Sequence, residues 1–266
     1  MTIKNLFPED MACYVFGDES TASNDRFAIY SMIGGSQQTI RKTLLILQEY
    51  KMKYGIDSQE KLHCRVIFSK HQREKTSWGK LTDKQVLEFF RNLSEALLPV
   101  GLLWSYGYID MREVLNNPKP EKMAGKFSTE NGKEFSFDFK VKQAQQFAYS
   151  AAEIHFIQRY GTRFKIWCDQ DKTKIEWFEG KKQPHNINRH IGVKGEVNPP
   201  RELEPMLEIA DLFAYTTSRH LSAIQSFGEH VFRNIHKKFN PKASKMNLDP
   251  SLFGGDIPTK EWLKSS

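Results

Sequence analysis

The stretch Tyr14-Val15-Phe16-Gly17-Asp18-Glu19-Ser20 constrains the fold of this chain more than any other. An apolar run of strand-forming residues reaches a glycine and then ends in two carboxylates and a hydroxyl. Burial of the run predicts a strand with Asp18 at its C-terminal end, where a sheet presents side chains to a ligand. A second run, Phe27 to Ile33, comes after the polar Thr21–Asp25, so the two strands are expected to form a hairpin whose first member delivers an acidic pair. An Asp at such a place also serves as a turn former or helix cap. The reading as a site therefore depends on other carboxylates reaching the same place.

Further along, Gln37 to Tyr54 carries Ile40, Leu44, Leu45 and Leu47 at helical spacing, with Gly55 as its stop. Lys61 to Phe68 is expected to be a short extended piece holding His63 between apolar neighbours. His63 is either a packed, hydrogen-bonded ring or a group facing a phosphate or metal-bound water. Thr82 to Leu98 predicts a helix with a Thr82/Gln85 capping box and an apolar face of Val86, Leu87, Phe89, Phe90, Leu93 and Leu97. Gly101 to Met111 predicts a strand ending at Asp110, which either joins the acidic group or caps the next segment.

Between Asn116 and Lys140, Pro118, Pro120, Gly125 and Asn131-Gly132 break the pattern. This predicts a helical or loop insertion near 112–140, a small hairpin about Asn131-Gly132 or a mobile flap. Val141 to Tyr160 predicts a long helix with Glu153 near the edge of its apolar face. Arg163 to Cys168 predicts a strand that again ends in acid, Asp169 with Asp171 two residues on. From Lys172 to Lys194 there is a local basic excess, with Lys172, Lys174, Lys181, Lys182, Arg189 and Lys194 in a loop or loose hairpin. Glu204 to Arg219 predicts a helix on which Leu207, Asp211, Ala214 and Ser218 share a stripe, with Glu208 one turn before Asp211. Asp211 is thus expected among apolar and small residues, neutralised by hydrogen bonds or by a cation. The chain divides into one domain over 1–239 and a tail over 240–266 that wraps it.

Composition narrows the partners. A net charge of +7, from 39 Lys+Arg against 32 Asp+Glu, favours a polyanion. No apolar run is long enough to span a membrane and the N-terminal residues show no signal-peptide pattern, so a cytoplasmic location and no membrane partner are expected. Three cysteines without a CxxC pair argue against a disulfide framework or a zinc knuckle. The chain has no Walker loop, GxGxxG or HExxH motif.

Asp18 on a first strand, Asp169 on a late strand and Asp211 on a terminal helix match the acidic layout of an RNase H-like fold, an α/β class with a mixed sheet and flanking helices. At residue level the chain resembles the RNase H-like family known as domain of unknown function 3800. The residues that carry the resemblance are Asp18-Glu19-Ser20, Leu62-His63-Cys64, Trp167-Cys168-Asp169 and Glu208-Ile209-Ala210-Asp211-Leu212-Phe213-Ala214. Thr21 stands where the family often has glycine, and Glu208 where glutamine is common. The resemblance implies a nuclease-type site that hydrolyses phosphodiester bonds with divalent ions.

Hard carboxylate oxygens around an open site suit Mg²⁺ or Mn²⁺. Two such ions about 3.5–4 Å apart can activate water and stabilise the leaving oxygen. Asp18 is assigned as the bridging ligand and Asp169 and Asp211 as the flanking ones. Glu19, Glu153, Asp171 and Glu208 compete for a fourth position. His63 would orient a phosphate or protonate the leaving group, and the basic segment would hold DNA or RNA by its phosphates. The alternative is a non-catalytic RNase H-like module that binds nucleic acid or protein.

Overall fold

The apolar run that opens the chain becomes the inner strand of a mixed sheet. The computed structural model describes residues 7, 10–22, 26–112, 124–128, 134–138, 141–161, 163–168, 196–197, 199–222 and 227–245. In chain order its elements are β1 (Cys13–Ala22), β2 (Phe27–Gly35), α1 (Gln37–Lys53), α2 (Cys64–Ile67), α3 (Lys70–Arg73), α4 (Asp83–Leu97) and β3 (Leu103–Asp110). Next come β4 (Ala124–Ser128), β5 (Glu134–Asp138), α5 (Val141–Tyr160), β6 (Phe164–Cys168), β7 (Glu196–Val197), α6 (Pro205–Leu221), α7 (Glu229–Phe239) and β8 (Lys242–Lys245).

Among the described residues six strands form the main sheet in the order β7-β6-β1-β2-β3-β8. Strands β1, β2 and β3 run antiparallel, β6 pairs parallel with β1, and β7 pairs parallel with β6. With helices on both faces, this is an α/β arrangement of RNase H-like type. Alternation along β1 sorts the core. Tyr14 and Phe16 share a cluster with Ile33, Trp104 and Trp167 beneath α6, with α1, α4 and α7 in the same layer. Cys13 and Val15 share the opposite cluster with Tyr30, Met32 and Ile166 beneath α5. Helix α5 lies close because Gly107 of β3 has no side chain. A Cβ there would stand 2.0 Å from the Ala148 carbonyl oxygen. Ser105 Oγ donates to the Ala152 carbonyl at 2.7 Å beside it.

Helix α4 begins with the expected capping box, Thr82 and Gln85 satisfying each other's backbone N–H groups. Phe89 and Phe90 on its inner face pack edge to face with each other, and Phe89 meets Trp78 in the same way. The insertion contains a β4–β5 antiparallel pair in register from Ala124↔Asp138 to Ser128↔Glu134. The loop between its strands lies outside the described residues.

Three expectations are corrected. Lys61–Phe68 is not extended: Cys64–Ile67 is a helical turn with His63 as its N-cap. Asp18 is not at the end of its strand, because β1 runs on to Ala22 and Asp18 pairs with Ser31. The domain does not end at residue 239, because β8 adds Lys242–Lys245 to the β3 edge in parallel register. Helix α7 was missed by the sequence reading, although Val231, Phe232 and Ile235 carry its buried side.

Candidate functional site

Two of the three core carboxylates lie on described elements, and both belong to the α6 face of the sheet. Asp18 stands two residues after Phe16 and so points to the layer that holds Phe16. It is half-buried and comes one residue after the last parallel pair of β1 with β6, Gly17↔Cys168. Asp211 is half-buried on α6, the helix packed across β1 and β2. Ser218 on the same helix donates to the Thr21 carbonyl at 2.7 Å, tying α6 along β1.

Cys64 is bonded to one of the two acids and lies within electrostatic reach of the other. Its backbone N–H donates to Asp211 Oδ2 at 2.6 Å. Its thiol is fully buried, and its pKa is driven well above the ordinary value, first by desolvation, then by the charge and hydrogen bond of Asp211, then by the charge of Asp18. One buried thiol thus feels both carboxylates. Asp211 is half-buried rather than sealed among apolar side chains, and it has the hydrogen-bonded partner that its stripe demanded.

Asp211 heads a row at helical spacing with Tyr215 and Arg219. The Arg219 guanidinium lies over the Tyr215 ring, 4.7 Å from its centre, and hydrogen-bonds its hydroxyl. Burial raises the Tyr215 pKa, Arg219 opposes this, and Cys64 and Asp211 add smaller upward contributions. Arg219 is therefore a cation beside the acidic pair that the sequence reading overlooked. Its signal was the i, i+4, i+8 spacing from Asp211.

The segment before Cys64 is pinned to α6 from below. Glu208 Oε2 accepts from the Leu62 N–H at 2.8 Å and pairs with the buried Lys51 ammonium at 2.5 Å. Its carboxylate, one of the four candidates for a further ligand, is engaged by that loop and by Lys51. His63, between Leu62 and Cys64, is exposed.

The remaining candidates separate. Glu19 points to the α5 face by strand alternation, and its charge helps raise the pKa of Tyr30 there, after burial and Cys168. Glu153 lies on α5, on that same opposite face, with both carboxylate oxygens buried and without a hydrogen-bond partner among the described residues. Desolvation raises its pKa to about 8. Neither shares the α6 face with Asp18 and Asp211. Asp110 is held by Arg26 at 2.7 Å and accepts from the Arg112 N–H, a structural role.

Asp169, Asp171 and the basic residues Lys172, Lys174, Lys181, Lys182, Arg189 and Lys194 lie outside the described residues. Among the described residues no group of three His, Cys, Asp or Glu side chains is arranged to hold a metal ion, and no helix is long and apolar enough to cross a membrane. The chain matches no family model, and no curated protein matches it.

Proposed function

We propose that this chain is a divalent-metal-dependent nuclease with an RNase H-like acidic site, akin to the domain of unknown function 3800 family. The observation that carries the reading is that Asp211, held by the Cys64 N–H at 2.6 Å, lies on the helix packed across β1, whose Asp18 points to the same face. Two half-buried carboxylates on adjoining elements form a hard-oxygen donor set. Such a set suits Mg²⁺ or Mn²⁺, with Asp169 as the third member. When bound, the ions would supply an activated water and charge stabilisation at the leaving oxygen.

The chain's own residues do the rest. Asp18 sits on the rigid inner strand, and Asp211 is oriented by the Cys64 N–H. Arg219 places a positive charge one helical row from Asp211, suited to an incoming phosphate. His63, exposed and next in sequence to Cys64, is the candidate group for a phosphate oxygen or leaving-group proton. The Lys172–Lys194 basic run and the net charge of +7 favour a nucleic-acid partner.

The test is cleavage of labelled DNA, RNA and hybrid at low salt with Mg²⁺ or Mn²⁺, against EDTA. Asp18→Asn and Asp211→Asn should each abolish cleavage. Asn at 211 still accepts from the Cys64 N–H, so its stability should fall by only about 1 kcal/mol. Metal-dependent cleavage that survives either substitution would defeat the proposal. Binding without any cleavage would leave the non-catalytic module.

A further inference from the structure

Strand β8 is lightly held for a sheet strand. It covers the β3 edge from Ser105↔Lys242 to Tyr108↔Lys245, and three of its four residues are exposed. Across the sheet, Ser244 Oγ meets His155 Nε2 of α5 at 2.8 Å. The chain enters β8 from α7 through Asn240, which turns it in a left-handed conformation.

Helix α7 has two kinds of hold. As far as Ile235 it is apolar: Val231, Phe232 and Ile235 are buried, with Phe232 against Phe68, Phe90 and Tyr215. Its last turn depends on an imidazole. His236 packs edge to face on Trp104 and Tyr106, with ring centres 5.3 and 5.7 Å away, and its Nε2 meets the Tyr106 hydroxyl at 3.3 Å. On its other side it stacks on His220 of α6 at 3.5 Å. Phe239, one turn on, is only half-buried against Phe213 and Trp104.

Nothing described around the stack welcomes a positive charge. On α7, Arg233 is engaged by Glu229, and its charge still acts on His220. From β3 come the neutral phenols Tyr106 and Tyr108, from α6 Arg219, and from β8 Lys242 and Lys245. The carboxylate that α4 brings to this turn, Glu95, is taken by Lys238 at 2.8 Å. Two imidazolium rings in face-to-face contact repel each other, and burial opposes the first charge as well.

We propose that the last turn of α7 and β8 form an acid-released strap, in which protonation of His236 breaks its seat between His220 and Tyr106 and residues 236–245 peel from β3. Helix α7 stays docked as far as Ile235 on its apolar side. Peeling uncovers the hydrogen-bonding edge of β3 from Ser105 to Tyr108, a surface on which another strand can pair. The strap is independent of the nuclease reading.

The experiment is amide hydrogen exchange on the full chain, followed by NMR at pH 7 and pH 5 and corrected for the intrinsic rate at each pH. Burial and His220 lower the His236 pKa from 6.5 to about 4. Opening therefore takes up a proton, and protection of the bonded β8 amides should fall about twentyfold between the two pH values. It should stay at least about tenfold below that of β1 and β2, with little change in dilute urea, because the opening exposes little surface. His236→Phe keeps a flat ring without the titrating group, and β8 protection in the variant should be the same at both pH values.

The His236 ring resonance of the parent gives a readout that needs no variant, and its midpoint should lie well below 6.5. Any of three results overturns the strap: β8 exchanging in step with β1 and β2 with the same urea dependence, β8 protection that ignores pH, or a His236 midpoint near 6.5. So does a His236→Phe protein that keeps the twentyfold loss.

Discussion

Glu153 shows what a single buried charge does to this molecule. Its carboxyl is buried on the inner side of α5 without a hydrogen-bond partner among the described residues, and desolvation raises its pKa from an ordinary 4.5 to about 8. The folded chain therefore holds the proton between those values while the unfolded chain releases it, so stability declines as pH rises from about 4.5 to about 8. Glu153→Gln is neutral throughout and should lack that decline. Denaturant melts at pH 5 and pH 8 should show a gap between parent and variant that widens with pH, on the order of a few kcal/mol at the upper end. Equal slopes for the two proteins would mean that Glu153 is ionised in the fold. At neutral pH a protonated acid is a poor metal ligand, which agrees with its separation from Asp18 and Asp211.

At the scale of elements, the contact of α5 with β3 depends on one missing side chain. Gly107→Ala would place a methyl 2.0 Å from the Ala148 carbonyl oxygen, and that oxygen belongs to backbone that cannot swing aside. The helix must lift from the sheet, loosening the Ser105–Ala152 hydrogen bond at 2.7 Å. A loss of about 3 kcal/mol is expected in urea melts, at the upper end for overpacking. A change below about 0.5 kcal/mol would show that the helix is not seated as closely as described. Elements that local signals define were read well from sequence: α4 has its Thr82/Gln85 box, and α5 spans the expected Val141–Tyr160. The turn at Cys64–Ile67 was missed because four residues are too few for a helical period to emerge. That turn forms where the α6 carboxylates hold its entry, by long-range contacts.

For the molecule as a whole, the two faces of the sheet carry opposite pH responses. On the α6 face, His236 of α7 stacks on His220 of α6 with ring centres 3.5 Å apart, and its Nε2 meets the Tyr106 hydroxyl at 3.3 Å. Burial, with a contribution from His220, lowers the His236 pKa from 6.5 to about 4. The unfolded chain therefore takes up this proton first, and stability falls as pH drops from about 6.5 to about 4. His236→Phe keeps a flat ring in the stack and should flatten that acid-side loss, as read by melts at pH 4.5 and 6.5; an unaltered slope would assign the loss to other groups. Local sequence was enough to find β1, β2, β3 and β6, the limits of α1, α4, α5 and α6 to within about two residues, and the order of the acidic residues, because periodicity, caps and turn formers act over a few residues. The sequence analysis took Asp18 and Glu19 together as an acidic pair, and alternation along the longer β1 parts them to opposite faces. It took the folded chain to bring Asp18 and Asp211 to Cys64, to put Glu153 across the sheet from them, and to commit Glu208 to a loop. Those outcomes depend on which face each helix covers and which distant backbone N–H meets each carboxylate, and contacts that span 146 and 147 residues of chain leave no local period to read.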